Sequence, residues 1–216
     1  MKHRISYQNL SQELLKKQSA LFEQNILLLE EYAERLLWWN KRINLVSRDV
    51  SHETIKEHVL HSLLLGGGFE EVDLREIIDT GTGGGLPGIP LAICYPDKKF
   101  LLNDIVSKKM MAVKETATHL GLKNVHVNTG SIANVEINKG EVIISKHAFK
   151  INQLLSLIEE KAWGEIILLK GEKEVPNELE GIKEKLDIEV IGLEDALEKD
   201  FYIGKAIVRI KRKLNE

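Results

Sequence analysis

The 216 residues are 43% hydrophobic and 29% charged, with 16 glycines and 4 prolines, which excludes a disordered or collagen-like chain and suits a folded protein with a full core. One cysteine, Cys94, excludes a disulfide framework and a cysteine zinc cluster; no apolar run approaches the ~20 residues of a membrane span. The net charge of −3 is modest, and with no signal-peptide core at the N-terminus the expectation is a cytoplasmic protein with no membrane partner and no metal.

Residues 8–39 predict one long helix. Leu10, Leu14, Leu15, Leu21, Phe22, Ile26, Leu29, Ala33, Leu36 and Leu37 recur at spacings of three and four, with no Gly or Pro. Trp38 and Trp39 at its end are expected to pack this segment onto the rest of the protein. A second helix is predicted from Ser51 as N-cap to about Leu65. Gly66, Gly67 and Gly68 are expected to end it in left-handed geometry. Residues 1–70 thus read as a helical cap.

After Glu70 short apolar runs alternate with amphipathic stretches. Strands are predicted at 75–79, 99–104, 124–128, 141–145, 165–170, 187–191 and 202–210. Helices are predicted near 85–95, 107–120, 150–162 and 174–186. This alternation implies an α/β fold with right-handed crossovers and a mainly parallel sheet over residues 71–216. Only a short 192–199 segment joins the last two strands, which suits an antiparallel final strand.

Basic residues cluster locally. Arg35, Lys41, Arg42 and Arg48 form one group without acids, and Lys205, Arg209, Lys211, Arg212 and Lys213 another. Five lysines fall between Lys98 and Lys114 with one acid, Asp104. One face of such a protein could meet a polyanion. His52, His58 and His61 share the second predicted helix, but no third ligand has the spacing of a metal motif.

The strongest local signal runs from Ile77 to Ala92. An apolar strand closes on Asp79-Thr80, then Gly81, Gly83 and Gly85 alternate, and prolines open a helix. Glycine lets backbone approach a ligand and adopt positive φ. A dinucleotide fingerprint would need glycine at Leu86, and a phosphate loop would need Gly-Lys-Ser/Thr after Gly88. Neither fits. The remaining Asp-x-Gly-x-Gly-x-Gly pattern resembles the first motif of Rossmann-like methyltransferases that use S-adenosylmethionine. Asp79, Gly81, Gly83, Gly85 and Leu86 are the cofactor candidates there. Asp104 closes the next strand, where an acid can accept from both ribose hydroxyls of a nucleoside.

Several further segments extend the likeness. Trp39-Asn40-Lys41-Arg42-Ile43-Asn44-Leu45, His58-Val59-Leu60-His61-Ser62-Leu63, Asp104 with Lys108-Lys109, Gly121-Leu122-Lys123-Asn124-Val125 and Leu169-Lys170-Gly171 resemble the RsmG family, also called GidB. The resemblance spans roughly residues 36–210. It implies a seven-stranded Rossmann-like class I methyltransferase fold with an N-terminal helical cap. It also implies S-adenosylmethionine as cofactor, and methylation of N7 of a guanine in 16S ribosomal RNA or the small ribosomal subunit. By the same resemblance Gly81 and Leu86 contact the cofactor, Asp104 holds its ribose, and Ile132 and Ala133 flank adenine. Asn44 and Lys170 match positions near the substrate. Two segments depart from the pattern: Ser145-Lys146-His147-Ala148-Phe149 replaces Ser-Arg-Ala-Phe, and Gly130-Ser131-Ile132-Ala133 replaces Gly-Arg-Ala-Glu.

Guanine N7 carries an exposed lone pair, so no proton must leave before attack and no general base is required. Lys146, His147 and Lys170 close predicted strands beside the crevice, where they could grip phosphate or the guanine O6 edge. Lys146 is also a cofactor candidate. The target base should be unpaired, because the RNA major groove is deep and narrow; Phe149 could stack on it. The rival readings are a methyltransferase of another substrate and a noncatalytic RNA-binding protein keeping the fold. A monomer is expected.

Overall fold

The computed structural model describes residues 3–47, 49–69 and 76–212. Arg48 and Lys213 of the basic groups, residue 75 of the first predicted strand and the 70/71 boundary lie outside the described residues.

One eight-stranded sheet organises the molecule. Its strands are β1 (Arg4–Asn9), β2 (Ile77–Thr80), β3 (Phe100–Asp104), β4 (Val125–Thr129), β5 (Val142–Lys146), β6 (Glu165–Gly171), β7 (Leu186–Gly192) and β8 (Lys205–Arg212). The order is β1-β7-β8-β6-β5-β2-β3-β4. Pairing is parallel except where β8 runs antiparallel between β6 and β7. All seven expected strands are present. β1 is the eighth, so the N-terminal segment is not wholly helical: it adds an edge strand parallel to β7. Every residue of β1 is exposed, so its brief alternation of Ile5 and Tyr7 with polar residues marks no buried face. Backbone pairing holds it, with Gln8 donating to Glu189 and Asn9 to Asp195.

β2 is buried at every position and β6 at all but its last. That is the signature of central parallel strands covered on both faces. Strand order reverses between β2 and β5, so the crevice at their carboxyl ends is the topological switch point.

Helices cover both faces. The long predicted helix is two: α1 (Gln12–Gln24) and α2 (Ile26–Asn40). Asn25 breaks it, with its side-chain amide donating to the Leu21 carbonyl, the local competition that makes Asn a poor interior helix residue. α3 (His52–Leu63) begins as expected, with Ser51 Oγ accepting from Thr54 N–H. Gly66–Gly68 do not take left-handed geometry; they continue in a 3₁₀ turn. Their role is close approach, since a Cβ on Gly66 would lie 2.4 Å from Tyr95 Oη and one on Gly68 2.7 Å from Ile167 Cδ1. α4 (Gly88–Cys94), α5 (Ser107–His119) and α6 (Ile151–Leu157) follow β2, β3 and β5. The helix predicted at 174–186 is one turn, Val175–Glu178.

Adjacent strand residues point to opposite faces, and Ile77 and Ile78 accordingly belong to different cores. Ile77 packs with Leu29, Tyr32, Leu36, Ile55, Leu63 and Ile89, whereas Ile78 packs with Ile143, Leu154, Trp163 and Ile166. The N-terminal helices therefore share a core with the sheet. Tyr32 also donates its hydroxyl to the Gly84 carbonyl at 3.1 Å, tying α2 to the glycine loop. Among the described residues no helix is long and apolar enough to cross a membrane.

Candidate active site

The glycine loop leaves β2 with Gly81, Gly83 and Gly85 at φ of 70°, 59° and 96°. L side chains rarely adopt these values, which explains the alternation. Asp79 braces the loop from beneath. It is fully buried, and Oδ2 accepts from Thr82 Oγ1 at 2.6 Å and Gly88 N–H at 2.8 Å. Burial pushes its carboxyl up to about 7 against those two donors. Asp79, a cofactor candidate from the sequence, thus supports the loop's shape.

A cavity of about 500 Å³ opens beside the loop at the carboxyl ends of β2 and β3, a size common for small-ligand sites. Thr80, Gly81, Asn103, Asp104, Lys109 and Ser131 give it a polar wall. Ile105, Val106, Ile132, Phe149 and Leu157 give it an apolar one. Asp104 Oδ2 accepts from Gly83 N–H at 3.1 Å and Oδ1 from Val106 N–H at 2.9 Å. Each oxygen keeps further acceptor capacity. Ile105 stands 72% exposed at the rim, a large apolar side chain with no core to explain it.

Gly81, Asp104 and Ile132, three of the cofactor candidates, meet on this wall. Gly83, Gly85, Leu86 and Ala133 are not part of it. Gly83 acts through its N–H on Asp104. A Cβ on Gly85 would lie 2.6 Å from Ile89 Cδ1, so that glycine allows the loop to close onto α4. Leu86 packs in the core. Ala133 is exposed and donates its N–H to Ser131 Oγ.

Lys146 turns inward instead of toward the cavity. Its Nζ lies 2.7 Å from His58 Nδ1 and 3.4 Å from the His58 carbonyl. Burial, with Lys205 nearby, pushes its pKa down to about 7, while Asp79 acts the other way. Burial and then Lys146 hold His58 near 3, so its ring is neutral beside the Lys146 side chain. His61 is fully buried, edge-on to Phe201 and Tyr202, with neither ring nitrogen hydrogen-bonded. His147 lies 6.0 Å away, ring to ring, at φ 53°, a conformation uncommon outside glycine. Lys205 donates to the Phe201 carbonyl and sits 3.3 Å over its ring. Despite these histidines, no three metal-ligating groups converge among the described residues.

Folding lowers the Lys146 pKa from 10.5 to about 7. Between those values the unfolded chain binds more protons, so stability rises with pH. The margin of Lys146→Met over wild type in denaturant titrations is expected to shrink by on the order of a few kcal/mol between pH 7 and 10. A margin that does not change with pH contradicts the buried charge.

A second cavity of about 500 Å³ shares Ala148 and Phe149 with the first, and His147, Gln153, Lys170, Glu174 and Asn177 line it. Lys170 is buried and already partnered. Its Nζ donates to the Phe149 carbonyl at 2.9 Å and pairs with Glu178 Oε1 at 2.7 Å. Glu178 Oε2 accepts from Ile151 N–H at 2.8 Å. Lys170 thus fastens the turn between the cavities to β6, and Glu178 ties the same cluster to the start of α6. Asn44 is exposed and lines neither cavity. Its loop is folded by Asn40, whose Oδ1 accepts from the Leu45 and Val46 N–H groups and whose Nδ2 donates to the Ser47 carbonyl. That fold seats Leu45 against Gly84. Asn40, His58, Ser131 and Lys205 carry no site signal of their own in the sequence. Each does lie within a segment or basic group that the sequence marks.

Comparison with known proteins agrees with this geometry. The family described as rRNA small subunit methyltransferase G (GidB) matches residues 25–195. Ribosomal RNA small subunit methyltransferase G of Chlorobium phaeobacteroides is 37% identical over 159 residues, covering 71% of this chain and 72% of that protein. The protein of the same name from Christiangramia forsetii is 34% identical over 214 residues, 93% of this chain and 97% of that one. Among solved structures, the ribosomal protein L11 methylase from Lactobacillus delbrueckii subsp. bulgaricus superposes with a TM-score of 0.52 at 20% identity, covering 76% and 81% of the two chains. The S-adenosylmethionine-dependent methyltransferase SibL does so with 0.54 at 13%, covering 76% and 57%. These likenesses fix the Rossmann-like methyltransferase fold. With a family match over most of its length, the chain belongs to the rRNA small subunit methyltransferase G (GidB) family.

Proposed function

We propose that the protein methylates 16S ribosomal RNA of the small ribosomal subunit, at N7 of a guanine, with S-adenosylmethionine as donor. The observation that carries this reading is the cavity where Asp104 meets the glycine loop at the switch point of a sheet belonging to this family. The residues fit the donor. Asp104 has acceptor capacity for two ribose hydroxyls, Ile105, Val106, Ile132 and Leu157 offer apolar flanks for adenine, and Gly81, which lets Ala148 pack closely on the loop, lines the same cavity with backbone. When bound, S-adenosylmethionine supplies a methyl group activated by its sulfonium.

The chain's own contribution is alignment and exclusion of water. Guanine N7 attacks with its lone pair, so no side chain needs to remove a proton first. Lys170 and Glu178 hold the 147–150 turn that parts the two cavities. His147, Lys146 and Asn44 are the groups we assign to the RNA side. A ribosomal substrate implies action in the cytoplasm.

The test is incubation of undermethylated 30S subunits with methyl-labelled S-adenosylmethionine, followed by mapping of the modified base. Label at a guanine N7 of 16S RNA is expected. Label in protein or small molecules but not in RNA overturns the assignment.

A further inference from the structure

We propose that the last turn of α2 and the adjoining face of α5 form the RNA-docking surface, with the Trp38 ring as a stacking platform for an unpaired base. The proposal rests on the RNA substrate proposed above. It begins from a difference between neighbours. Trp39 turns inward and donates Nε1–H to Glu115 Oε2 at 3.0 Å, the packing role expected of both tryptophans. Trp38 remains 41% exposed. The Arg42 guanidinium lies 3.5 Å over its ring and Arg35 at 5.0 Å, while Arg42 also donates to the Trp38 carbonyl at 2.7 Å. The indole packs edge-on to Trp39 at 4.9 Å, and with the Arg42 guanidinium layered on its ring it presents a cation–aromatic surface whose exposed plane an unpaired base can extend.

The surrounding charge is matched to a polyanion. Arg35 pairs with Glu115, but Lys41, Arg42 and Lys108 make no ion pair among the described residues. Glu115, Met111 and Lys108 share one face of α5 through spacings of four and three. Met111 is 55% exposed on that face. The stripe thus leads from the foot of Trp38 toward Lys109 on the wall of the cofactor cavity. The 41–47 loop joins the same surface to the glycine loop through Leu45. Glu34, one turn before Trp38, bounds the patch. An aromatic ring interleaved with unpaired cations is the composition of a single-stranded nucleic-acid groove.

The experiment measures anisotropy of a fluorescein-labelled RNA hairpin with an unpaired guanine-containing loop, over a range of salt concentrations. Trp38→Ala is expected to weaken binding by about tenfold or more, the value of one base–aromatic stack, with little change in salt dependence. Trp38→Phe should recover most of the affinity. Arg42→Ala should weaken binding and reduce the salt slope by about one. Calorimetric affinity for S-adenosylmethionine and the melting temperature should stay at wild-type values in all three. Wild-type RNA affinity in both alanine variants overturns the proposal, as does joint loss of cofactor binding. Weakening seen only on intact 30S particles, with naked RNA unaffected, assigns the patch to a protein partner and overturns it too. If the wild type binds cofactor but neither binds nor methylates RNA, the substrate reading itself fails. If it methylates RNA while the variants bind normally, only the docking surface fails.

Discussion

Asp104→Ala is expected to abolish measurable S-adenosylmethionine binding in a protein that still folds. Among the described residues the carboxylate is the one acid on the wall of the cavity beside the glycine loop, and its oxygens already order Gly83 and Val106 through their N–H groups. Hydrogen bonds to charged groups contribute about 1.5–3 kcal/mol each. Losing two from ribose hydroxyls removes affinity by on the order of a hundredfold or more. The loop loses its anchor in the same step. Asp104→Asn should be intermediate, because an amide keeps one acceptor oxygen but turns a donor toward one of the two N–H groups. Calorimetric titration with the cofactor, beside a thermal melt, measures both. Wild-type affinity in a folded Asp104→Ala protein would remove this cavity as the donor site.

Glu178→Ala should destabilise the fold by about 3–5 kcal/mol, as expected when one member of a buried ion pair is removed. Lys170, at 6% side-chain exposure, would be left with only the distant, exposed Glu174 carboxylate at 3.9 Å, and Ile151 N–H would lose its acceptor. Lys170→Met should also destabilise, and the double variant Lys170→Met with Glu178→Ala should cost less than the two single changes together. A coupling of that sign identifies a pair that acts as a unit. Urea unfolding, with the slope checked for constancy, reads it directly. Strict additivity would show that the turn between the two cavities is held by something else.

The parts of the site that could be read from the sequence are those carried by contiguous backbone. From Asp79 to Gly88 the alternating glycines, the strand before them and the helix after them specify one loop shape, because positive φ is a local property. Asp104 was visible for the same reason, as the last residue of the next buried strand. Lys146 and Lys170 were visible as positions but not as partners. Lys146 meets His58 across 88 residues of chain, and no periodicity brings those two together. Lys170 meets Glu178 across the junction between β6 and the Val175–Glu178 turn, and strand and helix periodicities do not say how the two elements fold against each other. The same limit separates Trp38 from Trp39: spacing alone does not say which indole a neighbouring helix will cover.

By itself the sequence determined seven strands, their parallel sense and the antiparallel last one, since buried strands and crossovers leave apolar runs whose order restricts the topology. It also determined the glycine loop and the acid beside it. The tertiary structure alone decided that residues 4–9 join the sheet, for an exposed strand is held by backbone hydrogen bonds that carry no side-chain signature. It alone decided that Gly66–Gly68 serve close packing, and which lysines are tied down inside. Burial and pairing of a charge depend on what distant segments place around it, and that information is not present in any one stretch of chain.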